Sequence, residues 1–153
     1  MDLPMGYLFS GLNDDQLKRI AAVAKEVFME NGQQICREGE EANSLYILKT
    51  GAVELMTTVE NDVELPISVL RNDGDIFGSG VLIEPYTYNL TARCSGTGIL
   101  LRIEGSALQQ LMMQDRDLGC IIMTNLAEQF LTRLKESRQE IKMHFNTLLR
   151  SYR

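Results

Sequence analysis

Few residues in this chain are of types that do chemistry, and their spacing limits what that chemistry could be. Cys36, Cys94 and Cys120 stand far apart with no Cys-x-x-Cys among them, and His144 is the single histidine. An odd, unclustered set of thiols does not make a disulfide framework. A structural zinc site needs four Cys or His ligands, and an iron–sulfur cluster normally needs four thiolates. The thiols are therefore expected to be reduced, as in the cytoplasm, and Cys36 and Cys94 to be buried and inert. The eight methionines form no ligand set, and Met112, Met113 and Met123 read as core filler in helical segments. No nucleophile elbow, P-loop or metal-dependent hydrolase motif occurs, and the paired acids Glu40-Glu41 fall in a turn. An enzyme is the least supported class. What remains is the run Gly74-Asp75-Ile76-Phe77-Gly78-Ser79-Gly80, followed by Tyr88-Asn89. Gly78 and Gly80 would let backbone approach an anion closely, or else form a tight turn that holds nothing.

The elements that must position this run are legible in outline. Asn13 can cap a helix, Asp14 and Asp15 suit its positive end, and Gln16 completes a capping box. Leu17, Ile20, Ala21, Ala24, Val27 and Phe28 recur at helical spacing, with Gly32 as the stop. Val63, Leu65, Ile67 and Val69 then alternate with polar residues, which predicts a strand with one buried face. Pro66 places that strand at a sheet edge or at an unpaired position. Ile99, Leu101 and Ile103 repeat the alternation, with shorter examples at Leu45/Ile47 and Val53/Leu55. Short strands separated by turn clusters indicate an antiparallel sandwich or barrel. From about Ser106 to Leu149 the chain reads as helix, with Gly119 as the break between a short helix and a long one.

Composition bounds the function. The chain has 153 residues, one domain's worth, with 21 acidic and 15 basic side chains and a net charge of -6. That balance does not suggest a nucleic-acid surface. Apolar runs are far short of a membrane span, and Met1-Asp2-Leu3-Pro4 has neither a leader's features nor a glycine for myristoylation.

The ordered glycines carry a resemblance. Gly32, Gly39, Gly51 after Leu45-Tyr46-Ile47-Leu48, and then Gly74-Asp75-Ile76-Phe77-Gly78 resemble the cyclic-nucleotide-binding domain, the sensor half of catabolite-activator-type regulators. The resemblance covers roughly residues 7 to 145. It implies a mainly β fold with flanking helices: an antiparallel, jelly-roll-like β-roll with an N-terminal helix and a long C-terminal helix. The corresponding parts are 1–31 (helical), 32–103 (β-roll) and 104–153 (C-terminal helices). It also implies a phosphate-binding cassette, with Ser79 to Glu84 as its short helix and Tyr88 to Cys94 as the strand after it. Phe77, Gly78, Ser79, Gly80, Val81, Leu82, Tyr88 and Asn89 are then the expected ligand-binding residues, with Thr124 or Asn125 as a lid.

The cassette departs from the family pattern at two positions. The glutamate that holds the ribose hydroxyl is replaced by Ser79. The arginine that pairs with the cyclic phosphate is replaced by Tyr88, or by Tyr86 in the alternative register, and no Lys or Arg occurs between Arg71 and Arg93. A charge-assisted hydrogen bond is worth roughly 1.5–3 kcal/mol, so its loss weakens phosphate binding by about 10- to 150-fold. Ser79 and Asn89 could each donate a hydrogen bond, and Tyr86 or Tyr88 could stack on a base. The expectation adopted is that Tyr88 fills the pocket, with no certain cofactor and a cyclic nucleotide or another small anionic ligand as the candidate.

The last helix fits a heptad. Cys120, Ala127, Leu134, Ile141 and Leu148 take one seam position, and Thr124, Leu131, Arg138 and Phe145 the other. The expected partner is a second copy of the chain, paired through this helix. An effector protein or a fused output domain is the further expected partner, with no nucleic acid and no membrane. The expected function is a non-catalytic regulatory sensor in the cytoplasm, with weak or no ordinary cyclic AMP binding. Two alternatives stand beside it: a true cyclic-nucleotide receptor with an unusual pocket, and a ligand-free dimerisation or protein-interaction module.

Overall fold

Described by a computed structural model are Leu3 and residues 6–152; of the Met1-Asp2-Leu3-Pro4 start, only Leu3 lies among them. Helix α1 (Asp14–Val23) begins as its sequence requires. The Asn13 side chain accepts from the Gln16 N–H at 2.8 Å, and the Gln16 side chain accepts from the Asn13 N–H at 3.0 Å. The helix is shorter than its periodicity suggests. Ala24 to Met29, expected as its last turns, form strand β1 (Ala24–Met29), paired residue for residue with β8 (Gly98–Glu104) from Ala24↔Ile103 to Met29↔Gly98. Val27 and Phe28 are strand formers, and a full ladder of cross-strand bonds outweighs two further helical turns. The roll therefore starts at Ala24 rather than at Gly32, and Gly32 serves a turn, its N–H bonded to the Cys94 carbonyl.

The remaining strands are β2 (Gln34–Cys36), β3 (Ser44–Thr50), β4 (Val53–Thr58), β5 (Glu64–Leu70), β6 (Ile76–Phe77) and β7 (Thr91–Cys94). They form two antiparallel four-stranded sheets, in the orders β1-β8-β3-β6 and β2-β7-β4-β5. The alternation of the strands sorts the core into two layers. Leu45, Ile47, Leu101 and Ile103 face outward and pack under Leu8, Ile20, Leu108, Leu118 and Ile122. Leu48, Leu55, Phe77, Tyr88 and Leu100 face into the roll. The fold is the mainly antiparallel β-roll with an N-terminal helix and a long C-terminal helix that the glycine pattern implied.

Strand β5 is an edge, one of the two positions Pro66 allowed, but its apolar residues do not share a buried face. Val63, Leu65, Ile67 and Val69 are all exposed. Leu55 pairs with Ser68 and Met56 with Pro66, so Ile67 is an extra residue between them. A bulge of this kind moves every later side chain to the other face.

The C-terminal helices break one turn earlier than expected. Helix α2 (Gly105–Gln114) ends at Asp115, which caps α3 (Arg116–Ser151) by accepting from the Leu118 N–H at 3.1 Å. Gly119 lies inside α3, where a Cβ would stand 3.1 Å from the Met112 carbonyl oxygen; it lets the two helices pack closely. Leu118, Gly119, Ile122 and Leu126 are the buried residues of α3. From Leu134 to Tyr152 every residue is exposed, including the seam residues Leu134, Ile141, Phe145 and Leu148. Among the described residues no helix is long and apolar enough to cross a membrane.

Candidate functional site

The site is built where β6 leaves the sheet. Ile76 and Phe77 pair with Ile47 and Tyr46 of β3, and the Phe77 and Tyr46 rings stack with centroids 5.1 Å apart. Gly78 then takes φ 84°, a conformation that side-chain-bearing residues rarely adopt. A Cβ there would stand 2.9 Å from the Ser44 carbonyl oxygen, and a Cβ on Gly80 would fall on the Thr87 carbonyl. Both glycines are thus required by the protein's own backbone, which passes close to Ser44 and Thr87. The expected helix Ser79–Glu84 is a single 3-10 turn, Ser79–Leu82. Four residues align few peptide dipoles, so a helix macrodipole adds little here.

Val81 and Leu82, expected as ligand contacts, are buried in the outer core. Gln109 donates to the Val81 carbonyl at 2.8 Å and so ties the turn to α2. Tyr88 occupies the roll interior and is buried. Its hydroxyl donates to the Ser44 carbonyl at 3.0 Å and accepts from the Ser44 N–H at 3.1 Å and the Asn43 N–H at 3.3 Å. Burial pushes the Tyr88 hydroxyl above its usual pKa, against the opposing effect of these amides. Cys36 lies beside it; burial raises its thiol to about 11, and its Sγ faces the Leu90 carbonyl at 3.8 Å. Cys94 is in the same cluster, also raised by burial, and all three cysteines are free. A thiol that stays protonated is a poor nucleophile.

What is left of the interior pocket is a cavity of about 20 Å³, lined by Phe77, Gly78, Ser79, Tyr88 and Asn89 from the cassette, and by Tyr7 and Arg133 from outside it. That is room for roughly one or two waters, whereas pockets for small organic ligands run to hundreds of Å³. A second, open groove of about 220 Å³ shares Ser79 and Asn89 as a wall and continues over Ile83, Pro85 and Phe130. The structure thus brings Phe77, Gly78, Ser79, Tyr88 and Asn89 together. It does not bring Thr124 or Asn125 to them. Thr124 is exposed, and Asn125 donates to the carbonyls of Leu8 and Ser10 at 2.9 and 2.8 Å, clasping the N-terminal 3-10 turn Tyr7–Phe9 to α3. Helix α3 approaches the cassette later, at Phe130 and Arg133. These two lie three apart on one helix face, which is the only sequence signal that could have paired them. Tyr7 carried no such signal. Among the described residues no cluster of His, Cys, Asp and Glu could hold a metal ion.

Comparison with known proteins agrees with this fold. The family model described as the cyclic nucleotide-binding domain matches residues 26–115. The chain is 32% identical over 137 residues to the potassium channel AKT6 of Arabidopsis thaliana, covering 88% of this chain and 14% of the channel. It is 28% identical over 95 residues to the cGMP-dependent protein kinase egl-4 of Caenorhabditis briggsae, covering 61% of this chain and 13% of the kinase. The chain therefore spans only a small part of these relatives. Among solved structures, a cyclic nucleotide-binding protein from Geobacter metallireducens is 32% identical with a TM-score of 0.70, covering 83% of this chain and 91% of that one. The catabolite activator protein of Thermus thermophilus has a TM-score of 0.76 at 22% identity, covering 90% and 62%, and shares the fold.

Proposed function

The chain belongs to the cyclic nucleotide-binding domain family, and from that premise we propose that it is a non-catalytic regulatory module with weak or no ordinary cyclic AMP binding, which signals through pairing of α3. The observation that carries the reading is Tyr88. Its ring stands inside the roll, three hydrogen bonds to Asn43 and Ser44 hold its hydroxyl at the start of β3, and the remaining cavity is about 20 Å³. A nucleoside can enter only if Tyr88 leaves, and leaving strands buried backbone groups. The nearly filled cavity also favours the second reading, a ligand-free dimerisation module, over a receptor with an open pocket.

The output half of the proposal rests on α3. Past Arg133 the helix projects about 27 Å from the roll, at about 1.5 Å per residue over Leu134–Ser151. An isolated helix of this length is marginal in water, and its seam of Leu134, Ile141, Phe145 and Leu148 is exposed. A second copy of the chain covers that seam by the same heptad. Arg138 interrupts it, so the dimer is held mainly by the flanking apolar layers. Reduced thiols fit a cytoplasmic setting, and an effector or output domain would read the spacing of the two rolls.

Sedimentation equilibrium tests the pairing. The chain is expected to sediment as a dimer, and Ile141→Asp as a monomer with an unchanged roll by circular dichroism. Exposed Cys120 adds a check, since it faces its own copy in a parallel seam: mild oxidation cross-links it, while Cys36 and Cys94 stay buried. A monomeric wild type that does not cross-link overturns the proposal.

A further inference from the structure

We infer that the β4–β5 hairpin of one copy docks on the basic flank of α3 of a second copy, so that an acidic hairpin closes on each side of the paired helices. This rests on the pairing of α3 proposed above and adds a second surface to it. Every residue from Thr58 to Val69 is exposed, and five of these twelve are apolar: Val59, Val63, Leu65, Ile67 and Val69. Single exposed apolar side chains are ordinary, but a cluster on one hairpin marks a contact surface. The tip has a fixed shape. The Val59 N–H donates to the Val63 carbonyl at 2.8 Å, and the Glu38 carboxylate accepts from the Thr57 hydroxyl at 2.8 Å and from the Thr58 N–H at 3.0 Å. The same twelve residues include Glu60, Asp62 and Glu64 and no Lys or Arg. Arg93 pairs with Glu64, while Glu60 and Asp62 form no ion pair among the described residues.

Helix α3 carries the complement. Lys135, Arg138 and Lys142 stand three and four residues apart, so they share one side of the helix; Arg138 lies in the seam and the two lysines flank it. Glu136 and Glu140, four apart, fall on the side away from the seam. None of these five forms an ion pair among the described residues. A parallel pair of α3 helices gives the bases no partner, because Phe130, Ser137 and His144, which flank the seam on its other side, carry no carboxylate. The acids then come from another element of the second copy. Reach agrees with the hairpin as that element. Leu55 of β4 and Arg133 of α3 line the same small cavity, so hairpin and helix leave the roll from one place. Val59 at the tip is about 13 Å beyond Leu55 at strand spacing, and Lys135 to Lys142 lie within about 14 Å beyond Arg133 at helix spacing. Within one copy both stay exposed. A second α3 paired in register brings its own Lys135 to Lys142 to the same level. The contact is reciprocal, so a two-fold axis closes it.

The test is sedimentation equilibrium of the full chain with paired charge reversals. Glu60→Lys with Asp62→Lys should raise the dimer dissociation constant roughly 10-fold at low salt, and adding Lys135→Glu with Lys142→Glu to the same chain should restore it. Raising the salt should narrow the difference between wild type and the first variant. Val63→Ser with Leu65→Ser should weaken the dimer at every salt concentration. All six positions are exposed, and circular dichroism of each variant verifies that the roll is intact. A dimer indifferent to the hairpin reversal, one that the helix reversal does not restore, or one unchanged by the two serines would overturn the inference. Failure of the seam reading looks different: a dimer that survives Ile141→Asp and still dissociates on the hairpin reversal. A monomeric wild type would overturn both.

Discussion

Tyr88 carries three hydrogen bonds on one oxygen, and two of them satisfy the Ser44 N–H and C=O inside the roll. Tyr88→Phe keeps the ring and removes only that oxygen. It leaves buried backbone groups unpaired and is expected to cost about 1–3 kcal/mol, read as a lower urea midpoint with an unchanged slope. If the midpoint does not move, the hydroxyl is not what fixes the ring. At this scale the sequence was informative about absence and poor about position. The missing cassette arginine was visible in the run from Asn72 to Ala92. That Tyr88 would turn inward, rather than present its ring to a ligand, depends on Ser44, which is 44 residues away. Arg133 and Phe130 could not be assigned to the cassette, because only the packing of Leu118, Ile122 and Leu126 decides which face of α3 meets the roll. Gly78 and Gly80 could be read as sites of close backbone approach or of a tight turn, and the groups that come close to them, Ser44 and Thr87, are distant in sequence or across a loop.

Elements were legible wherever one local signal dominated. The capping box placed the start of α1 at the right residue, and of the two positions Pro66 allowed, an edge or an unpaired site, β5 takes the edge. Competing signals caused the differences. Helical spacing through Val27 and Phe28 lost to pairing with β8, the bulge at Ile67 broke the period-two face of β5, and Gly119 marks close packing against Met112 rather than a break. The true break rests on Asp115, which joins three elements. Its carboxylate accepts from the Leu118 N–H, from Gln16 at 3.1 Å and from Arg19 at 2.7 Å, and these contacts, in that order, lower its pKa to about 2. A carboxylate depressed on folding contributes stability above its unfolded pKa, near 4, and loses it as the pH falls toward 2. Wild type should therefore exceed Asp115→Ala in unfolding midpoint at pH 7, with the gap closing between pH 4 and pH 2. A gap that does not change over that window would mean that Asp115 contributes only as an uncharged cap.

On the scale of the whole molecule, two layers of core hold a roll whose interior is nearly full and whose longest helix is half bare. The order helix, roll, long helix followed from the glycine pattern and the change from period two to period 3.6. The closure of the interior did not, since it is a sum of side-chain volumes from all eight strands and Tyr88. Under the proposed function, a full interior and an exposed seam suit a module that answers to a partner chain more readily than to an enclosed nucleotide. Calorimetric titration of the intact chain with cyclic AMP and cyclic GMP tests this most directly. The account predicts no saturable binding in the micromolar range, that is, nothing approaching about -8 kcal/mol. Micromolar binding of either nucleotide would contradict it, because Tyr88 would then have to yield its place and the phosphate would have found a cation without a cassette arginine.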